Sequence, residues 1–207
     1  MDWQRLVYVL PGILLGLTVH EYCHAFSAWK LGDSTARNQG RLTLNPLKHI
    51  DPIGFLFLLF AGFGWAKPVQ FDPYQLRNLR RDKAIIAAAG PLSNLVLGIL
   101  LIFGIRAIIY FQAHGMINIP IVFLNIMLSA STINFALFIF NLIPIPPLDG
   151  SHILFSALDL KPQTENMLLK IGMPILLVIL LAQNFAHVSI LPIGNLAIKM
   201  RDFFFSI

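Results

Sequence analysis

Four long apolar stretches occupy most of this chain and constrain its fold more than any other feature. They cover approximately residues 6–29, 84–111, 119–143 and 167–185. Each is close to the roughly 20 apolar residues that an α-helix needs to cross the hydrocarbon core of a bilayer. Only helices and closed barrels satisfy all of their backbone polar groups in that environment. The sequence therefore predicts an all-α integral membrane protein, a polytopic helical bundle with about four to six spans.

The composition excludes the main alternative, a soluble globular protein. Charged residues make up 12% of the chain and hydrophobic residues 57%, whereas soluble domains carry roughly 25% charged residues. Disordered chains have the opposite composition, with few apolar residues and high net charge. No repeat, low-complexity tract or long linker divides the sequence. We therefore expect residues 1–207 to form a single intramembrane domain.

The connection between the first two spans, residues 30–83, is polar but contains short segments of regular pattern. The alternating residues 41–44 and the segment 66–70 are each predicted to form a short β-strand. Residues 53–65 are apolar but number only 13, which is too short for a span and favours a re-entrant or interfacial loop. We therefore expect a re-entrant, β-strand-containing loop here, and an interfacial helix over residues 190–207.

The distribution of basic residues predicts the orientation in the membrane. Nine of the 15 Lys and Arg residues lie in the connection 30–83, and none lies in the opposite connection, 112–118. Because cytoplasmic loops of membrane proteins are enriched in Lys and Arg, we expect residues 30–83 to face the cytoplasm. The same rule accounts for the net charge of +5, so the lipid bilayer, and not nucleic acid, is the expected partner.

The first span contains a metal-binding pattern, His20-Glu21-Tyr22-Cys23-His24, which has the form H-E-x-x-H. Residues i and i+4 of a helix share one face, so both imidazoles can bind one Zn²⁺ while Glu21 accepts a proton from water. Ionisable side chains inside a span are costly and usually mark a functional site. A polar cluster without metal is the alternative. Cys23 points away from the histidine pair, which favours a packing role.

A third ligand is needed to complete a catalytic zinc site, and the end of the third span offers one. Prolines at 144, 146 and 147 prevent a helix from continuing, so we expect an extended segment beside a cavity. Asp149 is the candidate ligand, and its alternative role is to cap a short helix over 151–158. Asn141 is the candidate polar group facing the substrate, with an interhelical hydrogen bond as an equally weighted alternative.

The second span opens with Gly90-Pro91-Leu92-Ser93-Asn94. A glycine permits close approach of two helices in a membrane, so Gly90 is expected to serve packing. Ser93 and Asn94 are polar and could reach the site, and for Asn94 the pattern leaves packing and function open.

Three of these motifs together resemble the site-2 proteases, the intramembrane zinc metalloproteases of peptidase family M50. The motifs are H-E-x-x-H-A at 20–25, G-P-x-x-N at 90–94 and N-x-x-P-x-x-P-L-D-G at 141–150. The resemblance implies one Zn²⁺ per chain, held by His20, His24 and Asp149. It also implies Glu21 as catalytic base and a role for Asn141 near the scissile bond. The implied activity is hydrolysis of peptide bonds in or near transmembrane segments of membrane-protein substrates.

Two further segments are similar to the compact bacterial members of that family. They are G-R-L-T-L-N-P at 40–46 and G-W-A-K-P-V at 64–69. This similarity implies a multi-pass protein of the bacterial inner membrane without the PDZ or CBS domains of other members. The sequence departs from many members at Ser151, where they have a second glycine after D-G.

Three other functions fit parts of the pattern. A membrane metal or ion transporter also places His and Asp inside spans, but it does not require a Glu beside the first His. A non-catalytic protein that binds membrane clients would not need an intact set of ligands and base. A CAAX-type membrane metalloprotease would take a downstream Glu as third ligand, and Glu165 is the only one that remains.

Overall fold

The computed structural model describes residues 3–61, 64–185 and 190–207, and within these ranges the fold is built from α-helices. The helices are α1 (Trp3–Lys30), α2 (Thr35–Asn38), α3 (Pro52–Ala61), α4 (Leu79–Ala113), α5 (Ile121–Asn141), α6 (Asp149–Leu158), α7 (Pro162–Phe185) and α8 (Ile193–Ser206). Two short 3₁₀ turns, Pro46–Lys48 and Pro73–Gln75, lie in the connection between α1 and α4.

Four of these helices, α1, α4, α5 and α7, are long and apolar enough to cross a membrane. They coincide with the four apolar stretches of the sequence, which confirms the predicted helical bundle. The protein is therefore a multi-pass membrane protein. Helices α1, α4 and α5 pack against one another, and α6 returns from the end of α5 to lie against α4.

The buried core forms on the α4–α5 contact and also involves the C-terminal helix. Ile102 and Phe135 are fully buried in it. Phe204 of α8 stacks on Phe135 with a centroid distance of 5.7 Å, and Ala197 is fully buried. The predicted C-terminal helix is present, and it packs along α4 and α5.

The two β-strands predicted at 41–44 and 66–70 are wrong. The described part of the connection contains one isolated antiparallel bridge, between Ile50 and Ala66, and no strand. Side chains satisfy the backbone of these segments instead of a neighbouring strand. The buried guanidinium of Arg41 donates to the carbonyl oxygens of Lys48 and Lys67. The alternating residues 41–44 therefore do not pair with a neighbouring strand to form a sheet.

The apolar segment 53–65 is in part a helix, α3, which begins at Pro52. Pro52 stands at the first helical position, where its missing N–H costs nothing. The Asp51 carboxylate accepts from the Gly54 N–H at 2.8 Å and so caps the helix start. With ten residues, α3 is too short to span a bilayer. Residues 62 and 63 of the segment lie outside the described residues.

The proline run at 144–147 forms a series of turns, so the predicted extended segment is wrong. The chain reverses tightly after α5 and enters α6 at Asp149. A Cβ added to Gly150 would lie 2.2 Å from the carbonyl oxygen of Leu142. Only glycine allows this close approach, which brings the start of α6 back to the end of α5.

Candidate active site

The structure brings the three predicted ligands together. His20 and His24 lie one turn apart on α1, and their Nε2 atoms are 2.9 Å apart. The Oδ2 atom of Asp149, at the start of α6, lies 3.2 Å from Nε2 of His20 and 3.4 Å from Nε2 of His24. Both histidines are buried, and the Asp149 side chain is 17% exposed. Within the described residues these three side chains form a group that could hold a metal ion.

Hydrogen bonds to α4 determine which nitrogen of each imidazole is protonated. Nδ1 of His24 lies 2.7 Å from the backbone oxygen of Ile86, which can only accept, so Nδ1 donates. Nδ1 of His20 lies 2.7 Å from Oδ1 of Asn94, which also accepts. Both rings therefore carry their proton on Nδ1 and turn the lone pair of Nε2 towards Asp149. This is the usual arrangement around a metal-binding histidine.

The donor set fits a metal ion. Two nitrogen lone pairs and a carboxylate oxygen converge, and the buried Oδ2 of Asp149 accepts no hydrogen bond. One proton can bridge at most two of these three atoms, whereas a divalent cation satisfies all of them. Two imidazoles and a carboxylate, with one position left open, form a ligand set typical of catalytic zinc.

Asp149 does not act as the N-cap of α6. The cap position is Leu148, and no side-chain cap hydrogen bond is present. Asp149 is therefore not engaged as a cap and is available as a ligand, a role that its carboxylate would fill in the ionised form.

Glu21 lies on the same turn of α1 but has a different partner. Its Oε2 accepts a hydrogen bond from the Val69 N–H at 3.1 Å. Glu21 and the three ligands line one cavity of about 270 Å³, which residues of the 66–71 segment also line. The carboxylate therefore lies beside the metal cluster, the group formed by His20, His24 and Asp149 that could hold a metal, and is not part of it. A general base that acts on a metal-bound water would lie in such a position.

Asn141 lines the same cavity, at the last residue of α5. Its Nδ2 donates to the Leu137 oxygen at 3.0 Å, one turn back on its own helix. Among the described residues its side chain makes no hydrogen bond to another helix.

Several residues of the site carry no signal in the sequence. In the sequence, Arg41 is one of nine basic residues in a connection predicted to be cytoplasmic. In the structure it is buried, and it donates to the backbone oxygen of Lys67, in the segment whose Val69 N–H binds Glu21. Gly90 has a packing role, as predicted, but its neighbours are the ligands themselves: an added Cβ would lie 2.3 Å from Nε2 of His24. Asn94 reaches the site by bonding to His20, and Ser93 donates to the Gly90 oxygen in its own helix.

Lys83 and His152 also line the catalytic cavity. Burial lowers the pKa of His152, and the positive charge of Lys83 lowers it further. The Lys83 ammonium pairs with the Glu165 carboxylate. Glu165 is thus engaged outside the metal cluster, which argues against the CAAX-type arrangement. A second cavity of about 620 Å³ shares Phe71 and Lys83 with the first.

Comparison with known proteins places the chain in a family. The model of a family described as Peptidase family M50 matches residues 8–180. "Putative zinc metalloprotease YwhC" of Bacillus subtilis is 39% identical over 153 residues, which are 71% of this chain and 67% of that protein. "Putative zinc metalloprotease Rip2" of Mycolicibacterium smegmatis is 36% identical over 168 residues, 78% of this chain and 61% of that protein.

Rip2 of Mycobacterium tuberculosis is 31% identical over 170 residues, again 78% of this chain and 61% of the relative. The chain thus spans about two thirds of the length of the curated relatives it matches. No solved structure matches it significantly.

Proposed function

The chain belongs to peptidase family M50, and on that premise we propose that it is an intramembrane zinc metalloprotease that cleaves membrane proteins in or near their transmembrane segments. The observation that carries this proposal is the convergence of His20, His24 and Asp149 beside the Glu21 carboxylate, in a cavity at a membrane span. Ionisable side chains within a membrane span, such as His20, Glu21 and His24, are rare and usually mark a functional site.

The metal ligands in this proposal are His20, His24 and Asp149, with one Zn²⁺ per chain. When bound, zinc lowers the pKa of water and polarises a peptide carbonyl. Asn94 and the Ile86 carbonyl hold the two imidazoles in the binding orientation.

Glu21 is the general base. Val69 holds one carboxylate oxygen, and the other can take a proton from the attacking water and return it to the leaving amine. Asn141 lines the cavity beside this carboxylate, where its amide can contact the scissile peptide. A role for Asn141 in positioning the substrate follows.

The substrate is a transmembrane segment of another protein. Its carbonyl groups are bonded within its own helix, so the segment must unwind before hydrolysis. We place the unwound substrate along residues 66–70, where Ala66 forms the isolated bridge to Ile50 and where Lys67, Pro68 and Gln70 are exposed. Backbone pairing of this kind is a common way to bind an extended peptide.

Helix α3 enters the membrane from the cytoplasmic side in this proposal and does not cross it. It exposes Leu56 and Phe60, the latter 80% exposed, and apolar side chains of this size favour lipid over water. The single domain covers residues 1–207, since α8 packs on the same core as α5. The bacterial relatives make the inner membrane the expected location.

The test replaces Glu21 by Gln in the purified, detergent-solubilised protein. Zinc content and cleavage of a synthetic single-span substrate are measured beside wild type and Glu165→Gln, the other glutamate of the sequence. We expect Glu21→Gln to keep about one zinc per chain and to lose about 100- to 10,000-fold in cleavage rate. Glu165→Gln should keep its zinc and most of its cleavage activity.

Two results would contradict the proposal. Cleavage at the wild-type rate by Glu21→Gln would exclude Glu21 as the base. Zinc uptake into proteoliposomes by a wild-type protein that cleaves no substrate would show a transporter.

A further inference from the structure

A chain of buried amide hydrogen bonds links three helices behind the metal cluster. Asn134 of α5 donates from Nδ2 to the Ala130 oxygen at 2.8 Å. Its Oδ1 accepts from Nδ2 of Asn94 at 2.9 Å, and the same Nδ2 donates to the Gly16 oxygen at 3.0 Å. Oδ1 of Asn94 then accepts from Nδ1 of His20. Asn94 and Asn134 are both fully buried.

These partners leave the Asn94 amide one orientation. Its NH₂ group faces two oxygens that can only accept, so its oxygen must face His20. A flipped amide would set Nδ2 against the ring and Oδ1 against the Gly16 oxygen, and would leave buried polar groups unpaired. The orientation therefore follows from α5 and α1, through Asn134 and Gly16.

The two histidines differ in what sets their protonation. His24 donates to a backbone carbonyl of α4, which any residue at 86 would supply. For His20, the position of the ring proton depends on one side chain, that of Asn94. Without an acceptor at 94, its proton is free to move to Nε2, where it would occupy the lone pair that a metal needs.

We propose that Asn94, oriented by Asn134, is a positioning residue that keeps His20 in the Nδ1–H tautomer and so keeps its Nε2 available to the metal. This inference rests on the proposed zinc site. Asn94 does not line the catalytic cavity, so it touches neither the substrate nor the reacting atoms. Its effect is on metal affinity.

The experiment measures apparent zinc affinity of the full-length protein in detergent, by competition with a chelator, together with thermal stability. The variants are Asn94→Leu, Asn94→Asp and Asn134→Leu. The matched control is Ser131→Ala. Ser131 is also fully buried on α5 and donates to an α4 carbonyl, Gly98, at 3.0 Å, but its bond does not lead to His20.

We expect Asn94→Leu to weaken zinc binding by about 10- to 100-fold, the usual effect of losing such a partner of a metal-binding histidine. Asn94→Asp still offers an oxygen to Nδ1 of His20, so its zinc affinity should stay within about threefold of wild type although it loses two donated bonds and some stability. Asn134→Leu should fall between them, because Gly16 still holds the amide. Ser131→Ala should bind zinc as wild type does.

If Asn94 had only a structural role, zinc affinity would decrease together with thermal stability. Asn94→Asp would then lose as much zinc affinity as Asn94→Leu. That result would overturn the proposal, as would wild-type affinity in Asn94→Leu. If Asn94→Leu is not recovered folded, equal zinc affinities of Asn134→Leu and Ser131→Ala would overturn it instead. A wild-type protein that binds no zinc would refute the proposed function itself, which separates the two failures.

A Co²⁺ titration followed by absorption gives a second measurement, because the spectrum reports metal bound at the ligands. We expect Asn94→Asp to reach the bound spectrum at about the wild-type Co²⁺ concentration and Asn94→Leu to need about 10- to 100-fold more. Equal titration curves for these two variants would contradict a change at His20.

Discussion

The histidine pair and the Glu21 carboxylate come from one turn of α1, but different parts of the molecule hold them. The histidines bond to α4, through Asn94 and the Ile86 carbonyl, inside the helical bundle. Glu21 bonds to Val69, in the connection between α1 and α4. In the proposed mechanism, metal binding and the positioning of the base therefore have separate supports.

The two supports differ in how they are made. On the α4 side, the partners are buried and belong to a helix that packs in the bundle. On the other side, residues 66–70 have no regular secondary structure beyond one bridge, and the Arg41 guanidinium anchors them at Lys67. A support that depends on one buried side chain and a single bridge is the easier to disturb. Substitutions at the α4 support should weaken metal binding. Substitutions at the support in the connection between α1 and α4 should leave the metal bound.

The largest effect is expected for Asp149→Asn, which removes a ligand and the negative charge that offsets the ion. Zinc affinity should fall by about 100-fold or more and cleavage should become undetectable. A helix cap would tolerate this change, because Asn caps as well as Asp. Zinc content after dialysis and cleavage of a single-span substrate are the measurements.

Asp159→Asn is the matched control, at the other end of α6. The Asp159 side chain is 73% exposed, and its Oδ2 atom lies 3.5 Å from Nη1 of Arg80. The Asp159→Asn variant should keep its zinc and its cleavage activity. A wild-type zinc content in Asp149→Asn after dialysis would show that Asp149 is not a metal ligand.

Gly90→Ala should have the next largest effect. The new Cβ would lie 2.3 Å from Nε2 of His24 and 2.7 Å from Cε1 of His20, so the rings or the helices must move. We expect about 10- to 100-fold weaker zinc binding and a matching loss of cleavage. Gly104→Ala on the same helix meets only the flexible end of Met127, at 3.2 Å, and should behave as wild type. Equal zinc affinities would mean that the bundle relaxes around the methyl group.

Arg41→Met tests the other support. Losing the guanidinium leaves the carbonyl oxygens of Lys48 and Lys67 without their donor, which loosens the segment that holds Glu21. Cleavage should fall by about tenfold, part of what a general base contributes, while zinc content stays at wild-type level. Arg37→Met, which removes an exposed arginine that lies over Trp29, is the control. Loss of zinc in Arg41→Met would show that the two supports are not independent.

The last prediction perturbs the site least and concerns the side of the membrane that each connection faces. Single cysteines replace Tyr74, which is 97% exposed, and Met116, which is 63% exposed, in a Cys23→Ser background. An impermeant thiol reagent on intact cells should label position 116 and spare 74, because the basic connection faces the cytoplasm. The reverse labelling would place the Glu21 support outside the cell.

Local patterns in the sequence determined the spans and the composition of the metal cluster. Hydropathy over about 20 residues depends on the chain segment alone, and the four spans appear where the pattern predicts them. The spacing of His20 and His24 on a helix places both on one face for the same reason. The sequence also predicted Asp149 as their partner, with a helix cap as the alternative role, and the turn at Gly150 brings its Oδ2 atom to 3.2 Å from Nε2 of His20.

Only the tertiary structure decided what holds those residues. The segments at 41–44 and 66–70 carry patterns typical of strands, but a strand requires a partner, and Arg41 and Glu21 bind the backbone there instead. Asn94 bonds to a residue 74 positions earlier in the chain. Hydrogen bonds of this kind form between residues that become neighbours only when the helices pack. The spacing of residues within one segment therefore cannot predict them.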